Sequence, residues 1–324
     1  MAIETRAKWT DLIPDTGLKI MEVVDQGDEL YTPGIPSLLH VSSVSGTAQQ
    51  NYTAKTGFGR LKKFTDGDDI PEVSRDKSYT TKVIYNNYGG SVMVTKNQIE
   101  DRDFAAELDE MKDLSRSYNQ SIDESSMQLF NGGFATTVAV NGYDMTWYGD
   151  AKPLFSTVHP TTTVGGSTQS NASSTGIKLT HDNLETGRLA LTLQQTDNGR
   201  PLTLTTMPTI VTPVILEKKA TESIGSVLTP ETSNNALNFF KGSMNLVTSA
   251  FLDSANGGSN TAWFLLNVQR HHLYYETRQE KRLESEKNIL NKVVTYTLDA
   301  RWANYAREWK GTWGSKGDLA SYSS

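Results

Sequence analysis

The sequence predicts an α+β fold, and three stretches carry the prediction. From Ser91 to Asn131 there is neither glycine nor proline. Within that span Phe104, Leu108, Met111, Tyr118, Ile122 and Leu129 follow a 3–4 spacing, with Ser115 and Ser125 at the gaps. That is one apolar seam along a long helix. The run SYTTKVIYNNYGGSVMVT, residues 78–95, is dense in Thr, Val, Ile and Tyr, side chains that suit a pleated surface. Near the C-terminus Val294, Tyr296, Leu298, Ala300 and Trp302 alternate at period two, the pattern of a half-buried strand.

The totals narrow the field. The 324 residues suggest about two domains or lobes. A hydrophobic fraction of 36% with 9% aromatics supports a real core, yet leaves a polar surplus. Such a surplus fits extended pieces that bury surface against other chains. A net charge of -6 gives no counterion-release drive to wrap nucleic acid. Without cysteine there is neither a disulfide nor a thiolate metal site. No apolar run approaches the ~18 residues of a membrane helix, and MAIETRAKWTDLIPDTG has no apolar signal core. The expectation is a soluble, cytosolic product that does not engage a membrane.

Along the chain, residues 1–45 carry Pro14, Gly17, Gly27, Pro33, Gly34 and Pro36. Punctuation this dense predicts an extended arm with one short helix near 16–25. Residues 46–96 read as a long two-stranded excursion. Arg60, Lys62 and Lys63 lie on its first side, and Asp66, Asp68, Asp69 and Glu72 at its tip. An isolated hairpin is marginal in water, so this one should lie on something else. The long helix, 96–130, opens with Thr95 and Gln98 as a capping box and stops at the NGG of 131–133. Opposite its seam stand Asp101, Asp103, Glu107, Glu110, Asp113, Asp123 and Glu124, either a solvated face or a surface that faces DNA without sticking to it. Residues 159–178 form a Ser/Thr/Gly-rich loop. Asp182 and Glu185 are candidate caps for a helix through 195. After the strand MPTIVT, Thr212 and Pro213 are placed as N-cap and first turn of a helix striped by Leu216, Ala220, Ile224 and Val227. Strands follow at MNLVTSAFL and AWFLLN, and Trp309 and Trp313 fall in a turn-rich tail.

Chemistry is sparse. There is no Walker loop, no G-x-G-x-x-G and no G-x-S-x-G. His271 and His272 are adjacent and would point to opposite faces of a strand, a poor metal pair. The acidic tip at 66–72 lacks calcium-loop spacing, and the Gly57/Gly59 pair suits a hairpin bend better than a phosphate cradle. In AKPLFSTVHP, residues 151–160, Ser156 and His159 put a hydroxyl near an imidazole. No nucleophile elbow surrounds Ser156, and triad members usually converge from separate segments. The reading is of no catalytic residue, no cofactor and no metal.

Taken together, the order of parts resembles the major capsid protein of tailed bacteriophages. KPLFSTVHP, followed by a Ser/Gly-rich loop, is similar to the major head subunit family of Mu-like phages, as are TIVTPVILEKKATESI and then TAWFLLN. The resemblance implies an N-terminal arm (1–35), then an extended hairpin loop with flanking peripheral-domain strands (36–95). A peripheral domain with a spine helix (96–180), an axial domain (181–275) and a return to the peripheral domain (276–324) follow. It implies a structural protein that self-assembles into an icosahedral shell of hexamers and pentamers and encloses double-stranded phage DNA without sequence-specific binding. It places the protein in the virion, assembled in the host cytoplasm. Implied partners are further copies of the chain, a portal and decoration proteins. The start at Met1, without a coiled-coil prefix, adds a separate scaffolding protein. Some relatives crosslink a loop lysine, where Lys62 and Lys63 stand here, but no catalytic Glu or partner Asn is legible.

On this reading the hairpin works between subunits through Phe58, Arg60, Leu61, Lys62, Lys63, Phe64, Asp66, Asp68, Asp69, Ile70 and Glu72, and Glu107, Glu110 and Asp113 line the interior. Two alternatives stand beside it: an encapsulin-like nanocompartment shell, and a soluble hydrolase using Ser156 and His159.

Overall fold

A computed structural model describes residues 24, 26–29, 31–34, 38–58, 60–72, 76–101, 105–136, 139–140, 142–147, 149–162, 168–202, 207–230, 236–288 and 290–322. The capping box forms as its residue types require. The Thr95 N–H donates to Oε1 of Gln98 at 2.9 Å, and the Gln98 N–H donates to Oγ1 of Thr95 at 3.4 Å. It opens α1 (Lys96–Asp101), and α2 (Ala105–Asn131) follows; Asp103 and Phe104 lie outside the described residues. At 27 residues α2 is about 40 Å long. Met111, Ser115, Ile122, Ser125 and Leu129 of the predicted seam are buried, and Leu108 and Tyr118 partly so. The helix stops at Asn131, where a Cβ on Gly133 would stand 2.6 Å from the Phe155 ring.

That seam covers a six-stranded sheet built from β1 (His40–Ser43), β4 (Asn86–Thr95), β5 (Ala139–Val140), β6 (Tyr143–Thr146), β10 (His272–Lys287) and β11 (Val293–Glu308). The order is β1-β10-β11-β6-β5, with β4 also pairing β11. All five alternating residues from Val294 to Trp302 are buried, as their period demands. Val92, Val94, Ile99 and Met111 close over Val294, Tyr296 and Leu298. A second sheet runs β12-β9-β7-β8, from β7 (Thr209–Pro213), β8 (Leu246–Ser249), β9 (Trp263–Leu266) and β12 (Thr312–Ser315). Against it pack α3 (His181–Thr192) and α4 (Glu217–Gly225), through Leu184, Leu191 and Ala220. Phe130, Phe155, Phe264, Trp302 and Trp309 belong to the core cluster that spans both sheets. β2 (Gln49–Lys55) and β3 (Lys77–Ile84) form a separate antiparallel pair.

Several expectations are corrected. Thr180 caps α3 by accepting the Asn183 N–H at 3.2 Å, whereas Glu185 pairs with Arg188 at 2.7 Å, and the helix ends at Thr192. Thr212 and Pro213 close β7; a 3₁₀ turn, Val214–Leu216, intervenes before α4. Val227 is exposed. Trp309 and Trp313 are buried, Trp313 inside β12, so the tail is core. The charged run 272–287 is a strand that was not foreseen.

Asp123 does not belong to a solvated acidic face: it is buried and accepts the Tyr31 hydroxyl at 2.6 Å and the Gly34 N–H at 3.2 Å. Asp28 accepts from Ser115 at 2.7 Å and Asn119 at 3.1 Å, and Lys281 pairs with it. These contacts lay Asp28, Tyr31 and Gly34 along α2. The helix expected near 16–25 falls, Val24 apart, outside the described residues.

Candidate functional site

The β2–β3 pair projects a segment whose side chains are largely exposed. Arg60, Leu61, Lys62, Lys63, Phe64, Asp66, Asp68, Asp69, Ile70 and Glu72 are all exposed, as is Phe58. Leu61 and Ile70 keep 85% and 79% of their surface in solvent, and Phe58 and Phe64 about half. A turn at the tip is fixed by the Asp68 N–H donating to the Thr65 carbonyl at 3.0 Å, around Gly67 at φ +93°. Among the described residues the basic and acidic side chains of this segment form no ion pair with each other.

The root of the hairpin is a different matter, because it is fastened to its own subunit. Glu276 of β10 is buried. Its Oε2 accepts hydroxyls from Tyr85 at 2.7 Å and Tyr305 at 2.9 Å, and its Oε1 accepts from Ser42 at 2.8 Å. The Tyr52 hydroxyl lies 3.1 Å from both oxygens. Burial and the neighbouring carboxylate push the Tyr85 hydroxyl well up, and burial does the same for Tyr305, so both stay donors. The Arg307 guanidinium is sandwiched between the Tyr52 and Tyr274 rings, 3.7 and 3.8 Å from their centroids. Five segments, β1, β2, the β3–β4 link, β10 and β11, therefore meet on one carboxylate.

A second fastening lies along β3. Asp197, on the turn after α3, accepts from Ser78 at 2.9 Å and pairs with buried Lys310 at 2.8 Å. Asn198 donates to the Gly57 carbonyl at 2.8 Å. A Cβ on Gly149 would stand 2.1 Å from the Thr80 carbonyl oxygen, so only glycine lets that loop lie on the strand. The hairpin therefore lies on its own chain at the root and leaves the tip exposed. Neither Glu276 nor Asp197 was singled out from the sequence. The one local signal is that Glu276 closes an aromatic pair, Tyr274–Tyr275.

On α2, Glu110 and Asp113 are exposed, and Asp113 pairs with Arg116 at 3.2 Å. Glu107 is half-buried and accepts from Gln98. Ser156 and His159 are both buried. The Ser156 hydroxyl accepts the Val158 N–H at 3.0 Å, and the His159 ring nitrogens face Asp150 at 2.6 Å and Asn171 at 3.0 Å. An imidazole engaged at both nitrogens is not placed to activate that serine, which removes the hydrolase alternative. Among the described residues no three His, Asp or Glu side chains converge as metal ligands, and no helix is long and apolar enough to cross a membrane.

A family model described as phage capsid protein matches residues 80–313. Among solved structures, the chain is similar to the mature capsid of bacteriophage PhiM1, with 13% identity over 88% of this chain and 87% of that one, at a TM-score of 0.57. It is also similar to the capsid of Ralstonia phage GP4, with 12% identity over 89% and 92%, at a TM-score of 0.54. Against the bacteriophage JBD30 capsid (10% identity, TM-score 0.44) 88% of the chain aligns but spans only 65% of that protein. No curated protein matches by sequence. Identities this low establish the fold, which is that of tailed-phage capsid proteins.

Proposed function

The chain belongs to a family of phage capsid proteins, and from that premise we propose that its copies join into an icosahedral shell by passing each hairpin tip onto the next subunit. Its role is structural rather than enzymatic: a major capsid subunit that self-assembles as part of the virion. The nanocompartment alternative is not favoured, because the family match is to phage capsids.

The carrying observation is the tip, where Leu61 and Ile70 stand in solvent and Phe58 and Phe64 are half-exposed beside unpaired charges, on a root that is firmly held. Exposed ion pairs contribute about 0–1 kcal/mol each, whereas fully burying a Leu, Ile or Phe contributes about 1.5–3 kcal/mol. Phe58, Leu61, Phe64 and Ile70 therefore supply most of the hold. Arg60, Lys62, Lys63, Asp66, Asp68, Asp69 and Glu72 set register and partner. In a closed ring every copy gives and receives the same contact.

The finer reading follows from the same parts. The stretch KPLFSTVHP supports membership of the Mu-like head subunit group. The arm is 1–35, the hairpin with its flanking strands 36–95, the peripheral domain 96–180 and the axial domain 181–275. The return is 276–324, with β12 completing the axial sheet. Hexamers and pentamers form the shell in the host cytoplasm, with a separate scaffolding protein, a portal and decoration proteins as partners. Glu107, Glu110 and Asp113 face packaged double-stranded DNA without binding it. Replacing residues 58–72 by a short Gly-Ser turn should leave the circular dichroism of the subunit unchanged and abolish shells in negative-stain micrographs. Normal shells from that variant would refute the joint.

A further inference from the structure

Strand β4 is an unguarded edge. Among the described residues it pairs only with β11, so the N–H and C=O groups of alternate residues point off the other side of the sheet. Edge strands are ordinarily kept from pairing with other chains by charge, proline or shortness. The ten residues of β4, NNYGGSVMVT, carry neither a charge nor a proline, and Met93 is 64% exposed. The half of β10 beyond its pairing with β1 reads RQEKRLESEK by contrast. Between β4 and α2 opens a cavity of about 190 Å³, whose walls include Tyr88, Gly89, Gly90, Leu114, Ser117 and Trp302. The paired glycines put no side chain across it, and a Cβ on Gly90 would itself stand 2.6 Å from Leu114. An apolar cavity of about 150 Å³ admits a benzene ring, so this one holds a leucine side chain. The Tyr143 ring lies 5.5 Å from that of Tyr88, with Glu124 beside its hydroxyl, and the next residue, Asp144, accepts from Asn86 at 3.2 Å. Among the described residues neither Glu124 nor Asp144 is in an ion pair.

We propose that this edge and the cavity beneath it are the seat for the hairpin tip of a second copy, with residues 60–64 pairing along β4 and Leu61 filling the cavity. The inference rests on the shell reading and names the surface that receives the tip. Each side has what the other lacks. Among the described residues, 60–64 make no backbone hydrogen bond within their own subunit. They contain no proline, and Leu61 keeps 85% of its surface in solvent. An added strand is held by main-chain hydrogen bonds and selected by pockets for alternate side chains. Side chains alternate across a strand, so Lys63 shares a face with Leu61 and turns with it toward α2, the helix that carries Glu124. Arg60, Lys62 and Phe64 take the other face, where Met93 is exposed. The seat is not filled from within the subunit. β3 alone, eight residues at ~3.3 Å each, sets the tip some ~26 Å from the start of β4. The tip that fits is another copy's.

The chain has no cysteine, so introduced thiols report this contact alone. Ser117 is an exposed lining residue of the cavity. A chain carrying both Leu61→Cys and Ser117→Cys should be joined into oligomeric ladders by a short bismaleimide once shells have formed, and neither single variant should be. Leu61→Cys combined with Ser254→Cys, an exposed position beside the second sheet, is the control. Ser117→Phe plugs the cavity from the helix surface. It should leave the circular dichroism unchanged and raise the protein concentration needed for shells by about tenfold or more, as should Leu61→Ala, because burying a leucine shifts an association by that much. Normal assembly of Ser117→Phe would overturn the seat. So would shells whose Leu61/Ser117 pair crosslinks no better than the control, which would give the cavity to another occupant and leave the shell reading standing. Wild-type protein that forms no shells would overturn both. Should the cysteine pair fail to assemble, the concentration shift decides; should Ser117→Phe fail to fold, the crosslink decides.

Discussion

Truncating Glu276 to alanine should be among the most damaging single changes around the six-stranded sheet. The substitution leaves the hydroxyls of Ser42, Tyr52, Tyr85 and Tyr305 without their shared acceptor, and takes from Arg307 a carboxylate 3.9 Å away. Hydrogen bonds to a charged group contribute about 1.5–3 kcal/mol each. The two that are buried at both ends, from Tyr85 and Tyr305, give about 3–6 kcal/mol. Removing one partner from a buried charged set costs about 3–5 kcal/mol, and the two routes agree near 4 kcal/mol. With an unfolding entropy of about 2.1 cal/mol/K per residue over 324 residues, that is a fall in Tm of roughly 6 °C. Glu276→Gln is the informative control. It keeps the shape and one oxygen for Tyr85 and Tyr305, and its NH₂ can donate to Ser42 and Tyr52 once those hydroxyls turn, so its cost should stay near 1 kcal/mol. Urea unfolding followed by tryptophan fluorescence measures both, and limited trypsin cleavage at Lys55 and Lys77 reports whether the hairpin root has loosened. If alanine and glutamine behave alike, the carboxylate is not what gathers the five segments.

Gly149→Ala should lose about 1–3 kcal/mol in the same unfolding assay, because its Cβ meets the Thr80 carbonyl at 2.1 Å, backbone that cannot rotate away. Thr212→Val removes a buried hydroxyl that has no partner among the described residues; a gain of about 1 kcal/mol is expected, and a loss would show that the hydroxyl is satisfied. Burial holds His271 down to about 3, below the ~6.5 of an unfolded histidine. Its contribution is therefore present above pH 6.5 and lost as pH falls toward 3, at up to about 1.4 kcal/mol per pH unit. A His271→Asn variant should show a shallower acid loss. Replacing Glu107, Glu110 and Asp113 by lysine should make empty shells bind DNA in a salt-dependent way; unchanged binding at low salt would count against an inward acidic face.

What could be read from the sequence was what is local. The α2 seam, the Thr95–Gln98 box and the alternation from Val294 to Trp302 each depend on neighbours within a few residues, and each appears where its period put it. β10 hid because its far half, from Arg282 onward, has a largely exposed charged face and is held by backbone pairing to β11. Strands secured that way need no apolar alternation. Asp123 was misplaced because it sits one position from the seam, beside Ile122, and only the arm folding back onto it makes burial tolerable. Glu276 and Asp197 were invisible for a related reason. A buried carboxylate is spelled like a surface one, and its donors lie far off in the chain, Ser42 by 234 residues and Ser78 by 119.

Strand β11 has a mechanical consequence. It pairs with β10 over most of its 16 residues, with β4 from Val293 to Trp302 and with β6 at Asn304 and Tyr305. It then turns at Gly311 directly into β12 of the other sheet. Ladder hydrogen bonds in an antiparallel pair run perpendicular to the strands. A pull along β11 therefore meets them all in shear, where they resist together, and not one after another as in peeling. In a shell stretched from within, this strand acts as the tie rod between the two halves of each subunit. The subunit is stiffest along that line and most easily deformed across it.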